Sequence, residues 1–126
     1  TFLGLPTMNI IECEFDTNSK IFKTNDKTFT INKEVTLKNN NIKYLGIRPE
    51  YIQINDTKIN NNFIEAKILV IENLGNKYLF TVESLNQNLK IIAKETNNLN
   101  IGDDCYIKLD ADSIFYFDEK EDNIQK

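Results

Sequence analysis

Apolar positions in this chain recur at every second residue more often than at every third or fourth. Between Met8 and Phe15, Ile11, Cys13 and Phe15 fall on one side and Glu12 and Glu14 on the other. Side chains alternate across an extended backbone, so this spacing predicts a half-buried β-strand over 8–15. Asp16-Thr17-Asn18-Ser19 carries short side chains that hydrogen-bond their own backbone, which predicts a turn. Ile21 to Lys23 returns, Thr24-Asn25-Asp26-Lys27 reverses the chain again, and Thr28 to Ile31 runs out with Phe29 and Ile31 inward. Two asparagine runs, Asn39-Asn40-Asn41 and Asn60-Asn61-Asn62, separate apolar patterns and tolerate left-handed backbone, so both read as loop tips.

Between those loops lies Leu45-Gly46-Ile47-Arg48-Pro49-Glu50-Tyr51, which holds the single arginine and one of two prolines. Pro49 has a fixed φ and no N–H to give to a ladder, so Arg48, Pro49 and Glu50 predict a corner between two strands. Arg48 presents a rigid fork of five donors there, suited either to a structural clamp on carbonyls or a carboxylate, or to contact with a ligand. From Phe63 to Leu74 the β-branched content and the period of two predict one long strand. Ile64, Ala66, Ile68 and Val70 line one face of it, and Phe63, Glu65, Lys67, Leu69 and Ile71 the other. The far end is apolar on both faces, as when a neighbouring lobe or a second subunit covers it.

Leu74-Gly75-Asn76-Lys77 reverses the chain into Tyr78, Phe80 and Val82, with glycine and asparagine supplying the positive φ of a tight hairpin. Leu89, Ile91 and Ala93 form the next strand, and Cys105, Ile107 and Leu109 another after the turn at Asn100-Ile101-Gly102-Asp103. Asp110-Ala111-Asp112-Ser113 suits a capped turn and lacks the central glycine and terminal glutamate of a calcium loop. Ile114 to Phe117 is a last apolar patch expected to close a barrel, and 118–126 is a charged tail expected to fray. About ten short strands with no helical pattern predict an all-β fold, a sandwich or small barrel. The corner at Pro49 divides it into a smaller first lobe and a larger second one, roughly 1–48 and 49–126.

At 126 residues, with 40% apolar and 27% charged positions, the chain suits one globular domain. No apolar run approaches the length of a membrane span or has the shape of a signal peptide. A net charge of −4, with fourteen lysines and one arginine, argues against nucleic acid. The absence of histidine removes Ser-His-Asp and Cys-His nucleophile pairs and histidine metal ligands. Cys13 and Cys105 cannot complete a zinc tetrahedron and read as buried free thiols, so neither a metal nor a catalytic residue is assigned. Asn55-Asp56-Thr57 fits the glycosylation pattern by chance.

Five segments taken in order carry a resemblance: Phe2-Leu3-Gly4-Leu5-Pro6-Thr7-Met8-Asn9, Leu45 to Tyr51, Glu72 to Lys77, Ile101-Gly102-Asp103-Asp104, and Ile114 to Asp118. Their order and spacing resemble the C-terminal regulatory region of ATP-binding subunits of bacterial ABC importers. The match is best to the maltose and glycerol-3-phosphate type, whose regulatory part is an OB-like (transport-associated OB) domain. Two departures stand out, since the family's histidines after Arg-Pro-Glu and before the final Phe-Asp are replaced by Tyr51 and by Phe115-Tyr116. No phosphate loop ending in Gly-Lys-Ser/Thr is present, so this chain binds no cofactor of its own. The resemblance implies that ATP and magnesium belong to an ATPase domain absent from it.

The resemblance further implies two closely packed OB-like lobes, a homodimer, and attachment through the ATPase domain to membrane permease subunits. It also implies a cytoplasmic position against the inner face of the membrane, a sugar or glycerol-3-phosphate cargo, and regulation by a partner such as a phosphotransferase-system protein. Leu69, Ile71, Leu74, Gly75 and Asn76 are the candidate contacts for dimer or regulator. The alternative is a stand-alone OB module that binds an oxyanion or sugar through Arg48, Lys77, asparagines and backbone amides.

Overall fold

The computed structural model describes residues 7–25, 27–31, 34 and 36–126, so Phe2 to Pro6 of the opening motif and Asp26 of the second turn lie outside the described residues. The alternating sequence forms eleven strands and two single-turn 3-10 helices, with no α-helix among the described residues. The strands are β1 (Asn9–Glu12), β2 (Glu14–Asp16), β3 (Ile21–Thr24), β4 (Lys27–Phe29), β5 (Tyr44–Ile47), β6 (Ile52–Asn55), β7 (Ile64–Asn73), β8 (Tyr78–Ser84), β9 (Gln87–Ala93), β10 (Asp104–Leu109) and β11 (Phe115–Phe117). They make three antiparallel sheets, in the orders β1-β5-β11, β2-β3-β4 and β6-β10-β7-β8-β9.

The run over 8–15 is two strands, not one. Cys13 interrupts it and donates its N–H to Lys43 O at 2.9 Å, so β1 stays beside β5 while β2 enters the small meander. Alternation survives the break, which is why the sequence pattern looks continuous. Along the meander the rings of Phe15, Phe22 and Phe29 form a row, with centroids 4.6 and 5.3 Å apart.

The five-stranded sheet curls until its outer strands β6 and β9 lie against each other, an OB-like small barrel. Ile68, Phe80, Val82, Leu89, Ile91 and Ile107 fill it and are fully buried. The turn Pro49–Tyr51 joins β5 to β6 and rests on β9. The outer edge of β9 is sealed by side chains of β1 and of β9 itself. Asn9 Nδ2–H donates to Lys90 O at 2.8 Å while Lys90 N–H donates to Asn9 Oδ1 at 2.8 Å. Gln87 Nε2–H donates to Ile10 O at 2.6 Å.

Two expectations fail at the end of the chain. Phe115–Phe117 does not close the barrel; as β11 it pairs with β5, Tyr116 opposite Leu45, and completes the first sheet. The tail does not fray. Ile124 is buried, its N–H donates to Tyr116 O at 3.0 Å, and Lys38 N–H donates to Ile124 O at 2.7 Å. One apolar residue with a place in the core outweighs the polarity of its neighbours.

Among the described residues, Gly46 in β5 is the one position where a strand glycine is sterically required. A Cβ there would collide with Met8 Sδ and lie 2.9 Å from Phe117 Cε2. Gly46→Ala should therefore cost about 1–3 kcal/mol, read as a lowered thermal midpoint. Burial also pushes three acids up: Cys13 to about 12 against the opposing Lys43, Cys105 to about 11, and Tyr116 to about 12. These groups stay neutral in the fold, whereas the unfolded thiols ionise near ~8.5 and the phenol near ~10. Stability from them is complete below that range and declines as pH rises toward the folded values. The urea midpoint should fall steadily between about pH 9 and 11, and native thiols should stay unlabelled by a thiol reagent at pH 8.

Candidate interaction surface

The apolar end of the longest strand is where the chain leaves a surface unfinished. β7 pairs with β10 over Ile64–Lys67 and with β8 from Lys67 to Asn73, so the two partners overlap only at Lys67. Ile68 ends the contact on the β10 side: its N–H donates to Asp103 O at 2.9 Å and its carbonyl accepts from Gly102 N–H at 2.8 Å. The turn at Gly102, with φ +90, ends the ladder there. Beyond it β7 has β8 alone.

At the same point the register slips. Ile68 lies opposite Val82 and Val70 opposite Thr81, so Leu69 is an extra residue, a β-bulge. An inserted residue exchanges the two faces downstream. The period of two had placed Val70 with Ile64, Ala66 and Ile68 on the buried face and Ile71 on the other. In the fold Val70 is turned outward, 42% exposed, and Ile71 is half-buried opposite Phe80. Phe63 is likewise buried, with Lys108 Nζ 6.0 Å from its ring centroid, although the same pattern put it on the more polar face.

Leu69 is 36% exposed, Leu74 47% and Ile101 64%, so with Val70 four large apolar side chains are exposed around one edge. Leu74 N–H donates to Lys77 O at 2.9 Å, which fixes the hairpin's phase. Val70 and Glu72 therefore turn their backbone groups toward β8, and Ile71 and Asn73 turn theirs away. No described strand lies on that outer side. Gly75, with φ +99, and exposed Asn76 form the tip, where Asn73 Oδ1 accepts Gly75 N–H at 2.8 Å.

The corner residues sit elsewhere. Arg48 is half-buried and its Nη1–H donates to Thr7 Oγ1 at 3.2 Å, a neutral partner. Pro49 is buried and Glu50 exposed. Lys77 is at the hairpin tip, so Arg48 and Lys77 belong to different elements. An open cleft of about 750 Å³ between β4, the start of β7 and the β8–β9 turn is lined by Lys27, Lys58, Lys67, Glu65, Glu83 and Asp104 among others. Asp104, Lys67 and Glu83 stand side by side across three strands, so an oxyanion there would meet carboxylates on both sides of the lysine. Asp110 Oδ2 accepts Ser113 O–H at 2.7 Å and Oδ1 accepts Asp112 N–H at 3.3 Å, so this acidic stretch caps its own turn. Among the described residues no group of three or more His, Cys, Asp or Glu could hold a metal ion. Cys13 and Cys105 are free and buried.

The fold and its surface thus define an OB-like β-module whose distinctive feature is an apolar open edge. Residues 45–117 match the TOBE domain family, and the chain belongs to it. It is similar to a putative ABC transporter ATP-binding protein of Mycoplasma genitalium, 30% identical over 121 residues, covering 93% of this chain and 19% of that protein. It is similar also to the uncharacterized ABC transporter ATP-binding protein YcjV of Escherichia coli O6:H1, 30% identical with 93% and 33% coverage. The sn-glycerol-3-phosphate import ATP-binding protein UgpC of Psychromonas ingrahamii is 30% identical over 126 residues, with 94% and 32% coverage. The chain spans between a fifth and a third of the length of these relatives.

Amide exchange tests the open edge directly. At micromolar protein the amides of Ile71 and Asn73 should exchange at least about tenfold faster than those of Val70 and Glu72, which donate into the ladder. Equal protection across 70–73 would show that the outer edge is covered.

Proposed function

We propose that the chain is the regulatory and dimerisation domain of the ATP-binding subunit of an ABC importer. ATP and magnesium bind, and hydrolysis occurs, in a separate ATPase domain. The observation that carries this reading is the near-complete coverage of the chain by a small part of several proteins named as ABC transporter ATP-binding proteins. Two-thirds or more of each relative lies outside the matched part, which leaves room for the nucleotide-hydrolysing machinery that this sequence lacks. A glycerol-3-phosphate or sugar cargo is supported by the relative named for sn-glycerol-3-phosphate import.

In this role the domain works by linkage. Two copies remain associated while the ATPase domains open and close, and a partner that binds one arrangement more tightly shifts hydrolysis by its differential affinity. Leu69, Leu74, Gly75 and Asn76 offer the contact surface, backed by Ile71. A phosphotransferase-system protein is a regulator of the required kind. The subunit attaches to membrane permeases from the cytoplasmic side. No helix among the described residues is long and apolar enough to cross a membrane.

The test pairs turnover with assembly. Full-length protein should hydrolyse ATP while the 126-residue chain alone gives buffer background. Sedimentation from micromolar to millimolar protein should show a dimer whose dissociation constant rises at least about tenfold, ~1.4 kcal/mol, when this domain is deleted. A complete gene with no ATPase domain would overturn the proposal, as would a dimer unaffected by the deletion.

A further inference from the structure

We infer that the open edge of β7 pairs with the same edge of a second copy, antiparallel about a two-fold axis through Ile71. The inference rests on the dimer reading above and assigns it a surface and a register. Among the described residues, side chains bond to the outer backbone of the two end strands of the barrel sheet, β9 and β6. Asn9 and Gln87 link β9 to β1, and Asn97 Nδ2–H reaches Ile54 O on β6 at 3.5 Å. No described residue covers 69–73 in this way, and these residues contain neither lysine nor proline, which usually blunt an edge.

The window is bounded at both ends. On one side stands the turn carrying Ile101 and Asp103, hydrogen-bonded to Ile68; on the other stands the hairpin tip with Leu74 and Lys77. A second copy laid antiparallel in this window sets its tip against the first copy's turn, and the two-fold repeats the contact. Leu74 then meets the second copy's Ile101, and Lys77 approaches its Asp103, so apolar meets apolar and cation meets carboxylate. Outward-facing groups must face each other, which restricts the axis to a residue position. An axis through Glu72 would oppose two carboxylates, which is destabilising. An axis through Ile71 exchanges both Ile71 backbone hydrogen bonds and places Val70 beside the second copy's Glu72, as a closely spaced non-hydrogen-bonded pair. That register uses the exposed apolar side chains Leu69, Val70, Leu74 and Ile101 together.

The register is tested by cross-linking with the double variant Val70→Cys/Glu72→Cys, both positions being exposed and neither filling the core. The native thiols are buried and do not compete. Under mild oxidation this variant should give a reducible covalent dimer, mapped to 70–72 linkages. Its rate should be at least about tenfold that of Ile59→Cys, an exposed cysteine away from the edge, or of either single variant. Exchange of the Ile71 amide in the unmodified protein, needing no variant, should slow at least about tenfold between micromolar and millimolar concentration. Sedimentation run in parallel separates the outcomes. A dimer without 70–72 linkage or Ile71 protection overturns the edge pairing and leaves the dimer reading standing. A monomer at every concentration overturns both. Protection of Ile71 only when another protein is added assigns the edge to a different occupant and overturns the self-pairing.

Discussion

The arrangement of this molecule depends on a single amide side chain. Asn9 stands where a neighbouring strand would stand, giving Lys90 one acceptor and one donor at 2.8 Å each. Without it, a backbone N–H and C=O on the outer edge of β9 would face the inter-sheet contact unpaired, each at a cost of about 1–3 kcal/mol. The same contact ties β1 to the barrel. Because β1 carries β5 in its ladder, and β5 leads through Pro49 into β6, Asn9, joined by the Gln87 bond to Ile10 O, fixes how the first sheet meets the two outer barrel strands. Asn9 is itself buried, so the bracket works away from competing water.

Edges, more than cavities, distinguish this module. Its clefts are open and carry balanced charge, its thiols are buried with raised pKa values, and histidine is absent. In the proposed role, linkage uses a body that binds differently in two assemblies, and the open edge of β7 is the surface it would use. The bulge at Leu69 is what turns an ordinary strand end into such a surface, because it brings Val70 out without unpairing β8.

Much of the fold was legible because strand alternation survives almost everywhere: Phe80 and Val82, Leu89 and Ile91, and Cys105 and Ile107 are all buried as their spacing indicates. The family was legible too, since short turn and corner motifs keep their order even where histidines are replaced. What the sequence concealed has physical causes. A bulge adds one residue without changing composition, so Val70 and Ile71 exchanged faces unseen. Cys13 breaks a ladder while alternation continues through it. Leu85 and Asn86 form the β8–β9 turn with φ +52 and +62, and leucine gives no turn signal there; burial of its side chain accompanies the strained backbone. For the candidate surface, the apolar character of both faces near Leu69 and Ile71 could be read directly. The openness of the edge could not, because it depends on where β10 stops, which Gly102 decides across a long sequence separation.

The position of β11 bears on the order in which the molecule can assemble. All five barrel strands lie within residues 52–109, whereas the first sheet joins 9–12 to 44–47 and then waits for 115–117, with Ile124 locking the joint. During synthesis the barrel's pairings are available before the first sheet has its last strand. Until then, Tyr44, Leu45 and Gly46 have a partner on one side only. The early part of the chain must therefore be held in a provisional state while the later part becomes native.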